Sequence, residues 1–228
     1  MPVVRVEYTE DGIAIITMQN GENRLNQIFV TEMWNILDEI ERNKDVKAVI
    51  TTGEGKFYSN GLDLPWMKSE TDDVVKKFRE SLQKVQWRIR HFSLPTVAAI
   101  NGHAFAGGAF LAKSHDYCVM NSKRGWISWN EIHKKMSMPR SGFEILRLKI
   151  DRMDAMREAV LFGKMIPATR AKELGIVDEA VEPANLLNTA KQIALRALGP
   201  SGMDRDMLQT MKKDLYPQTS SNSVIAKL

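Results

Sequence analysis

The stretch INGHAFAGGAF, residues 100–110, follows the apolar run LPTVAAI (94–100) and carries three glycines and no acidic group. A short buried run that meets a glycine pair and then helix-forming residues reads as a strand-to-helix turn of an α/β chain. Gly107 and Gly108 would open that helix with backbone N–H groups that have no intrahelical partner. The helix macrodipole adds positive potential at the same spot, so an anionic oxygen is favoured there. A glycine pair also serves a plainer purpose, since two backbone segments approach closely where no Cβ intervenes. A second stretch of the same character, GKFYSNGLDL (55–64), follows another buried run, KAVITT (47–52). Two loops that each offer bare backbone after a buried strand point to a bound ligand.

Working outward, strand and helix patterns alternate along the chain. VVRVEY and IAIITM flank Asp11-Gly12 and predict a hairpin. IFVTEMWNILDEIERN predicts an amphipathic helix with Phe29, Met33, Ile36, Leu37 and Ile40 on one face, and DVVKKFRESLQKVQWRIRHF predicts a second, with Val75, Phe78, Leu82, Val85 and Ile89 inward. DYCVM and GWISW predict strands, GFEILRLKI and DAMREAVLFG helices, and ATRAKELGIVDEAV a helix stopped at Gly175 before a short strand. ANLLNTAKQIALRAL and MDRDMLQTMKKDL predict two more helices, and no repeat of 20–50 residues is visible. The pattern divides the chain into a core over 1–182, a helical region over 183–216 and a polar tail over 217–228.

Composition narrows the function. The chain has 228 residues, 43% hydrophobic and 26% charged, which fits one sizeable globular core. Its 32 Lys and Arg against 28 Asp and Glu give a scattered net charge of +4, with no basic block suited to nucleic acid. A phosphorylated small ligand suits that charge better. The one cysteine, Cys118, permits no intrachain disulfide, suits a reducing compartment and reads as a buried apolar residue. The N-terminal MPVVRVEYTEDG lacks the pattern of a secretory signal, and Pro95, Asn101, His103 and the glycines interrupt the longest apolar stretch, so no membrane span is expected. The tail ends in Ala226-Lys227-Leu228, similar to the Ser-Lys-Leu peroxisomal address, so a peroxisomal import receptor is an expected partner and the peroxisome the expected location.

KFYSNGLDL resembles the first oxyanion-loop motif of the crotonase superfamily, which comprises enoyl-CoA hydratases and isomerases. NGHAFAGGAFLAKSHDYCVM resembles the second, and GWISWNEI the segment that carries a catalytic glutamate. With NRLN at 23–26 and AKELGIVDEAV at 171–181, the likeness spans about residues 5 to 185. It implies a spiral of ββα units with a C-terminal helical region, a homotrimer or hexamer, an acyl-CoA substrate and no separate cofactor or metal. Residue by residue it implies that the amides of Leu62 and Gly107 form an oxyanion hole, that Leu62, Asp63, Leu64 and Pro65 line the adenine and pantetheine channel, and that Glu131 is the base. Trp126, Ile127 and Trp129 are expected to desolvate that carboxylate.

Hydratases of the superfamily use a second glutamate, and at the matching position this chain has Phe110, whose ring cannot activate water. Phe110, three residues past Gly107, is expected to close the pocket or to pack in the core. The single-acid pattern, with NRLN, FYSNG and SHDY, resembles the plant-type branch of peroxisomal Δ3,Δ2-enoyl-CoA isomerases. The alternatives are a hydratase whose second acid lies elsewhere, with Glu144 nearest downstream, and a non-catalytic acyl-CoA-binding homologue. Ser59 lacks the G-x-S-x-G setting of a nucleophile. His103, His115 and His133 lack metal-ligand spacing, and His115-Asp116 reads as a helix end. Arg24, Lys56 and Lys68 are candidates for the CoA phosphates. The methionines, among them Met136, Met138, Met153, Met156 and Met165, read as core or as an acyl tunnel.

Overall fold

The computed structural model describes residues 2–216, so the Ala226-Lys227-Leu228 tripeptide lies outside the described residues. Strands β1 (Val4–Tyr8) and β2 (Ile13–Met18) form an antiparallel hairpin whose turn passes through Gly12 at φ +84°. Helix α1 (Gln27–Arg42) is capped by Asn26 and buries Phe29, Val30, Met33, Leu37 and Ile40; Ile36 is half-buried. After β3 (Ala48–Gly53) come a three-residue strand β4 (Phe57–Ser59), a short helix α2 (Leu64–Ser69) and the long α3 (Asp72–Arg90). Then follow β5 (Thr96–Ile100), another three-residue strand β6 (His103–Phe105), helix α4 (Gly107–Lys113), β7 (Tyr117–Asn121) and β8 (Ile127–Ser128).

A 3-10 turn over Glu131–Lys134 leads to α5 (Arg140–Lys149) and to α6 (Met153–Met156), which widens into π-type turns over Arg157–Leu161. The described chain closes with α7 (Ala168–Glu173), β9 (Glu179–Val181), α8 (Leu186–Leu198) and α9 (Arg205–Leu215).

Two sheets organise these elements. The larger runs β1-β2-β3-β5-β7-β9, antiparallel at the first pair and parallel thereafter. Every residue of β2 and of β5 is buried. Inner parallel strands are covered on both faces, which is why they read as continuous apolar runs. On one face lie α1, α3 and α4 with the main cluster; on the other, Ile13, Ile50, Val97 and Val119 meet Leu186, Ala190 and Ile193 of α8. The smaller sheet, β4-β6-β8, is wholly parallel. Its first two strands fall inside the stretches that read as loops from sequence, and three residues between glycines are too few for a periodic signal.

Helix α9 is tied to the core by charge. Arg205 donates to the carbonyls of Asn43 and Val46 at the end of α1, and Lys212 Nζ donates to Leu94 O at 3.0 Å and to Asp116 Oδ2 at 2.6 Å. Asp116 also accepts the Thr96 amide at 2.8 Å, so β5, β7 and α9 meet at one carboxylate. None of the described helices is long and apolar enough to cross a membrane.

Candidate active site

The small sheet builds the site. Because β4, β6 and β8 run parallel, the segments that leave them emerge along one edge, with neighbouring strands ~4.8 Å apart. Leu62 comes three residues after β4, Gly107 two after β6 and Glu131 three after β8. Residues far apart in sequence are therefore delivered to one place by topology.

Leu25 accounts for the first loop. It donates its amide to Gly61 O at 2.8 Å and accepts from the Asp63 amide at 2.9 Å, forming a parallel bridge centred on Leu62. Such a bridge leaves the N–H of Leu62 pointing away from Leu25. On the second loop, Gly107 is the first residue of α4, where an N–H has no intrahelical acceptor. Neither amide has an acceptor among the described residues. Ala106, the residue before, is held at φ +47°, ψ −115°, a conformation that a non-glycine residue adopts only at a cost of about 1–3 kcal/mol.

Missing Cβ atoms let the two loops touch. A Cβ on Gly108 would stand 2.3 Å from Ser59 O, and one on Gly61 would stand 2.8 Å from Phe105 O and 3.2 Å from the Gly107 nitrogen. A Cβ on Gly107 would be 3.5 Å from the Leu62 nitrogen. Gly108 is thus where the two loops approach most closely, and Gly107 is the position whose amide is left without an acceptor among the described residues.

Glu131 opens the 3-10 turn after β8, and its Oε2 is buried without a hydrogen-bond partner among the described residues. Burial raises its carboxyl above the ordinary glutamate range, and a bond from its own backbone N–H opposes that rise. Of the three apolar residues expected around it, Trp129 is fully buried and Ile127 belongs to the core. Trp126 does not take that part: it precedes β8, is 41% exposed and packs on His103, with ring centroids 4.7 Å apart. Counting residues from Glu131 put Trp126 beside it, whereas the strand in between separates them.

Phe110 is half-buried one helical turn beyond Gly107, edge-on to Trp129 with centroids 6.2 Å apart, and its ring tip would be 3.0 Å from a Cβ on Gly142 of α5. No second carboxylate stands at that position. This edge therefore holds two amide donors free to meet an oxyanion, one half-buried carboxylate whose proton affinity burial raises, and an aromatic wall. That set suits stabilisation of an enolate and transfer of a proton, and it lacks a second acid to split water.

The sequence profile described as enoyl-CoA hydratase/isomerase matches residues 8–227. The chain belongs to the enoyl-CoA hydratase/isomerase family. It is 32% identical over 206 residues to the peroxisomal enoyl-CoA delta isomerase 2 of Arabidopsis thaliana, covering 87% of this chain and 86% of that one. It is 31% identical to a short-chain-enoyl-CoA hydratase of Clostridium acetobutylicum, over 81% of this chain and 71% of that one. Among solved structures, human mitochondrial delta3-delta2-enoyl-CoA isomerase superposes with a TM-score of 0.84 at 28% identity, over 93% of this chain and 83% of that one. The fold is accordingly the α/β crotonase fold, and this enoyl-CoA hydratase/isomerase family member is an enzyme by that kinship.

Other candidates within this family member have different partners. Asp63 caps α2 through the Trp66 amide at 3.2 Å and accepts from Asn26 Nδ2 at 3.1 Å, while Leu64 and Pro65 form the first turn of that helix. The Ser59 hydroxyl donates to Asn23 O at 2.7 Å and is fully buried, so it braces the loop and offers no nucleophile. Glu144 pairs with Arg140 on the surface of α5. Arg24 pairs with Glu22, and Lys56 lies over the Phe57 ring at 5.7 Å. Met138 and Met156 are core, whereas Met153 and Met165 are exposed. No metal-binding cluster occurs among the described residues. Two surface clefts, one of about 300 Å³ between α1 and α3 beside Trp34 and one of about 500 Å³ beside Arg205, lie away from this edge.

Leu25 and Asn26 went unassigned in the sequence beyond their part in NRLN. The signal was present in Asn26, a capping residue directly before an apolar-periodic helix.

Proposed function

We propose that the protein is a Δ3,Δ2-enoyl-CoA isomerase that converts 3-enoyl-CoA to trans-2-enoyl-CoA in fatty acid β-oxidation, with Glu131 as its single proton carrier. The supporting observation is the shared edge of β4, β6 and β8, at which two amides and a buried carboxylate oxygen that have no partner among the described residues are gathered. Glu131 removes a proton from C2 of the substrate. The electron pair moves onto the thioester oxygen, where the Leu62 and Gly107 amides hold it, each contributing about 10²- to 10³-fold. The dienolate then takes the same proton back at C4, leaving the double bond between C2 and C3. No atom is gained or lost and no other reactant enters; coenzyme A is part of the substrate.

The raised proton affinity of Glu131 suits both halves of this shuttle, since the same group must accept a carbon-bound proton and return it. Phe110 in place of an acid favours isomerisation over hydration. The backbone from Leu62 to Pro65 is the reading offered for the CoA channel. Hydration remains the second reading on the strength of the Clostridium hydratase at 31% identity. Incubation with 3-hexenoyl-CoA and, separately, with 2-hexenoyl-CoA decides. Isomer formed without 3-hydroxyacyl-CoA supports the isomerase, 3-hydroxyacyl-CoA supports the hydratase, and acyl-CoA binding with neither product supports a non-catalytic homologue.

A homotrimer or hexamer is part of the same reading. Met207, Met211 and Leu215 form an exposed apolar stripe along α9, 59–63% accessible, of the kind that subunit contacts cover. Mass measurement in solution tests it. A peroxisomal location is supported by two Arabidopsis relatives whose names carry that compartment, and imaging of the tagged full chain tests it.

A further inference from the structure

The candidate active site leaves one buried polar chain unused. Tyr58 OH lies 2.7 Å from Thr51 Oγ1, which lies 2.9 Å from His115 Nε2, and His115 Nδ1 lies 2.9 Å from Leu111 O and 3.2 Å from Ala112 O. All three side chains are at most 1% exposed. The acceptors settle its direction. Carbonyl oxygens only accept, so Nδ1 carries the ring proton, Nε2 accepts from the Thr51 hydroxyl, and Thr51 in turn accepts from Tyr58. Burial pushes the imidazole down to about 4, so the ring stays neutral and the direction persists at any working pH.

The chain joins the two elements that lead to the amides. Tyr58 belongs to β4, four residues before Leu62; Leu111 and Ala112 are in the last turn of α4, whose first residue is Gly107. Thr51 belongs to β3, paired on both sides with Ile16 and Ala98, and so forms a fixed reference. Helix α4 has seven residues, roughly 10 Å of rise, so the position of its last carbonyls governs where its first amide points. Between the two ends, Gly108 rests on Ser59 O as a fulcrum. We infer that His115, with Thr51 and Tyr58, is a positioning device that sets the Gly107 amide relative to the Leu62 amide, which deepens the oxyanion reading above and rests on it. Apolar side chains of equal volume would fill the space without a preferred orientation. A directed, fully satisfied polar chain permits one arrangement, because any other leaves a buried group unpaired.

The test uses the full chain with Thr51→Val, Tyr58→Phe and His115→Leu, and His115→Gln as the conservative variant. The probe is acetoacetyl-CoA, whose bound enolate has its own ultraviolet band, beside kcat and KM for 3-hexenoyl-CoA and the Tm. Thr51→Val and Tyr58→Phe are expected to lower kcat about tenfold to hundredfold and to weaken the enolate band. KM should stay within about twofold. His115→Gln should recover most of the band, since its amide can accept from Thr51 and donate to Leu111 O. Where His115→Leu does not fold, Tyr58→Phe, which loses one hydroxyl, still decides. A wild-type band and kcat in both hydroxyl variants, whatever their Tm, overturns the inference alone. No band in the unaltered protein removes the oxyanion reading and this inference with it.

Discussion

The Ala106 amide donates to the Ser128 carbonyl at 2.8 Å, one rung beyond the paired residues of β6 and β8. That rung ties the residue before Gly107 to the strand that runs into Trp129 and Glu131. The backbone of Gly107 and the segment that leads to Glu131 are thereby held in register by main-chain hydrogen bonds. Ala106 sits in a strained conformation between them, and such strain persists only where its surroundings over-determine it.

Glu131→Gln is expected to lower kcat by about 10²- to 10⁴-fold with binding of acyl-CoA retained. In the unaltered enzyme, kcat/KM should fall as pH drops through a value above the ordinary glutamate range, since the base must be ionised. Stability should move the other way. Burial disfavours the ionised form in the folded chain, so folding is opposed above the raised folded pKa, and the opposition vanishes below the ordinary value of 4.5. Glu131→Gln should therefore raise the Tm on the order of 2 °C at pH 8 and leave it unchanged near pH 4. A melting series at the two pH values checks this.

Gly108→Ala sets helix propensity against packing. Alanine gains about 1 kcal/mol within a helix, yet its Cβ would stand 2.3 Å from a backbone oxygen that cannot move without β4. Overpacking should win, with a net loss of about 1–3 kcal/mol in denaturant unfolding. Activity should fall further than stability, because α4 must lift off Ser59 and carry the Gly107 amide with it. Full activity in this variant would separate the glycine contact from the chemistry.

Phe110→Glu introduces a second acid one helical turn past Gly107. Hydration of 2-hexenoyl-CoA is expected to rise above the wild-type background, and isomerisation of 3-hexenoyl-CoA to fall about tenfold or more as water enters. Chromatography of 3-hydroxyacyl-CoA gives the answer. A variant that folds and forms none would mean that position 110 does not face the reacting carbons.

Lys212→Met removes the cation that meets Asp116, whose carboxylate would then keep only the Thr96 contacts. Side-chain exposures of 7% and 18% make this a largely desolvated pair, and breaking such a pair costs about 3 kcal/mol. The loss should be reduced in Lys212→Met combined with Asp116→Asn, which leaves no lone charge. Equal losses in the single and double variants would show that the lost Lys212 hydrogen bond to Leu94 O, and not a carboxylate left unpaired, loosens α9.

Much of this protein is written in local pattern. The apolar spacing of residues 29–40 and 78–89 determined α1 and α3 and their buried faces, because a helix repeats every 3.6 residues whatever surrounds it. Runs such as AVIT and TVAAI determined inner strands, since only strands covered on both faces are apolar throughout. The glycine pair at 107–108 and the motif likeness pointed to a backbone-built site and its family. Tertiary structure alone decided that β4, β6 and β8 form a separate parallel sheet and that Leu62, Gly107 and Glu131 leave it along one edge. It also separated Trp126 from Glu131 and joined Tyr58 to His115 through Thr51. Those relations depend on pairing between segments dozens of residues apart, and local periodicity carries no information about which distant strand completes a ladder.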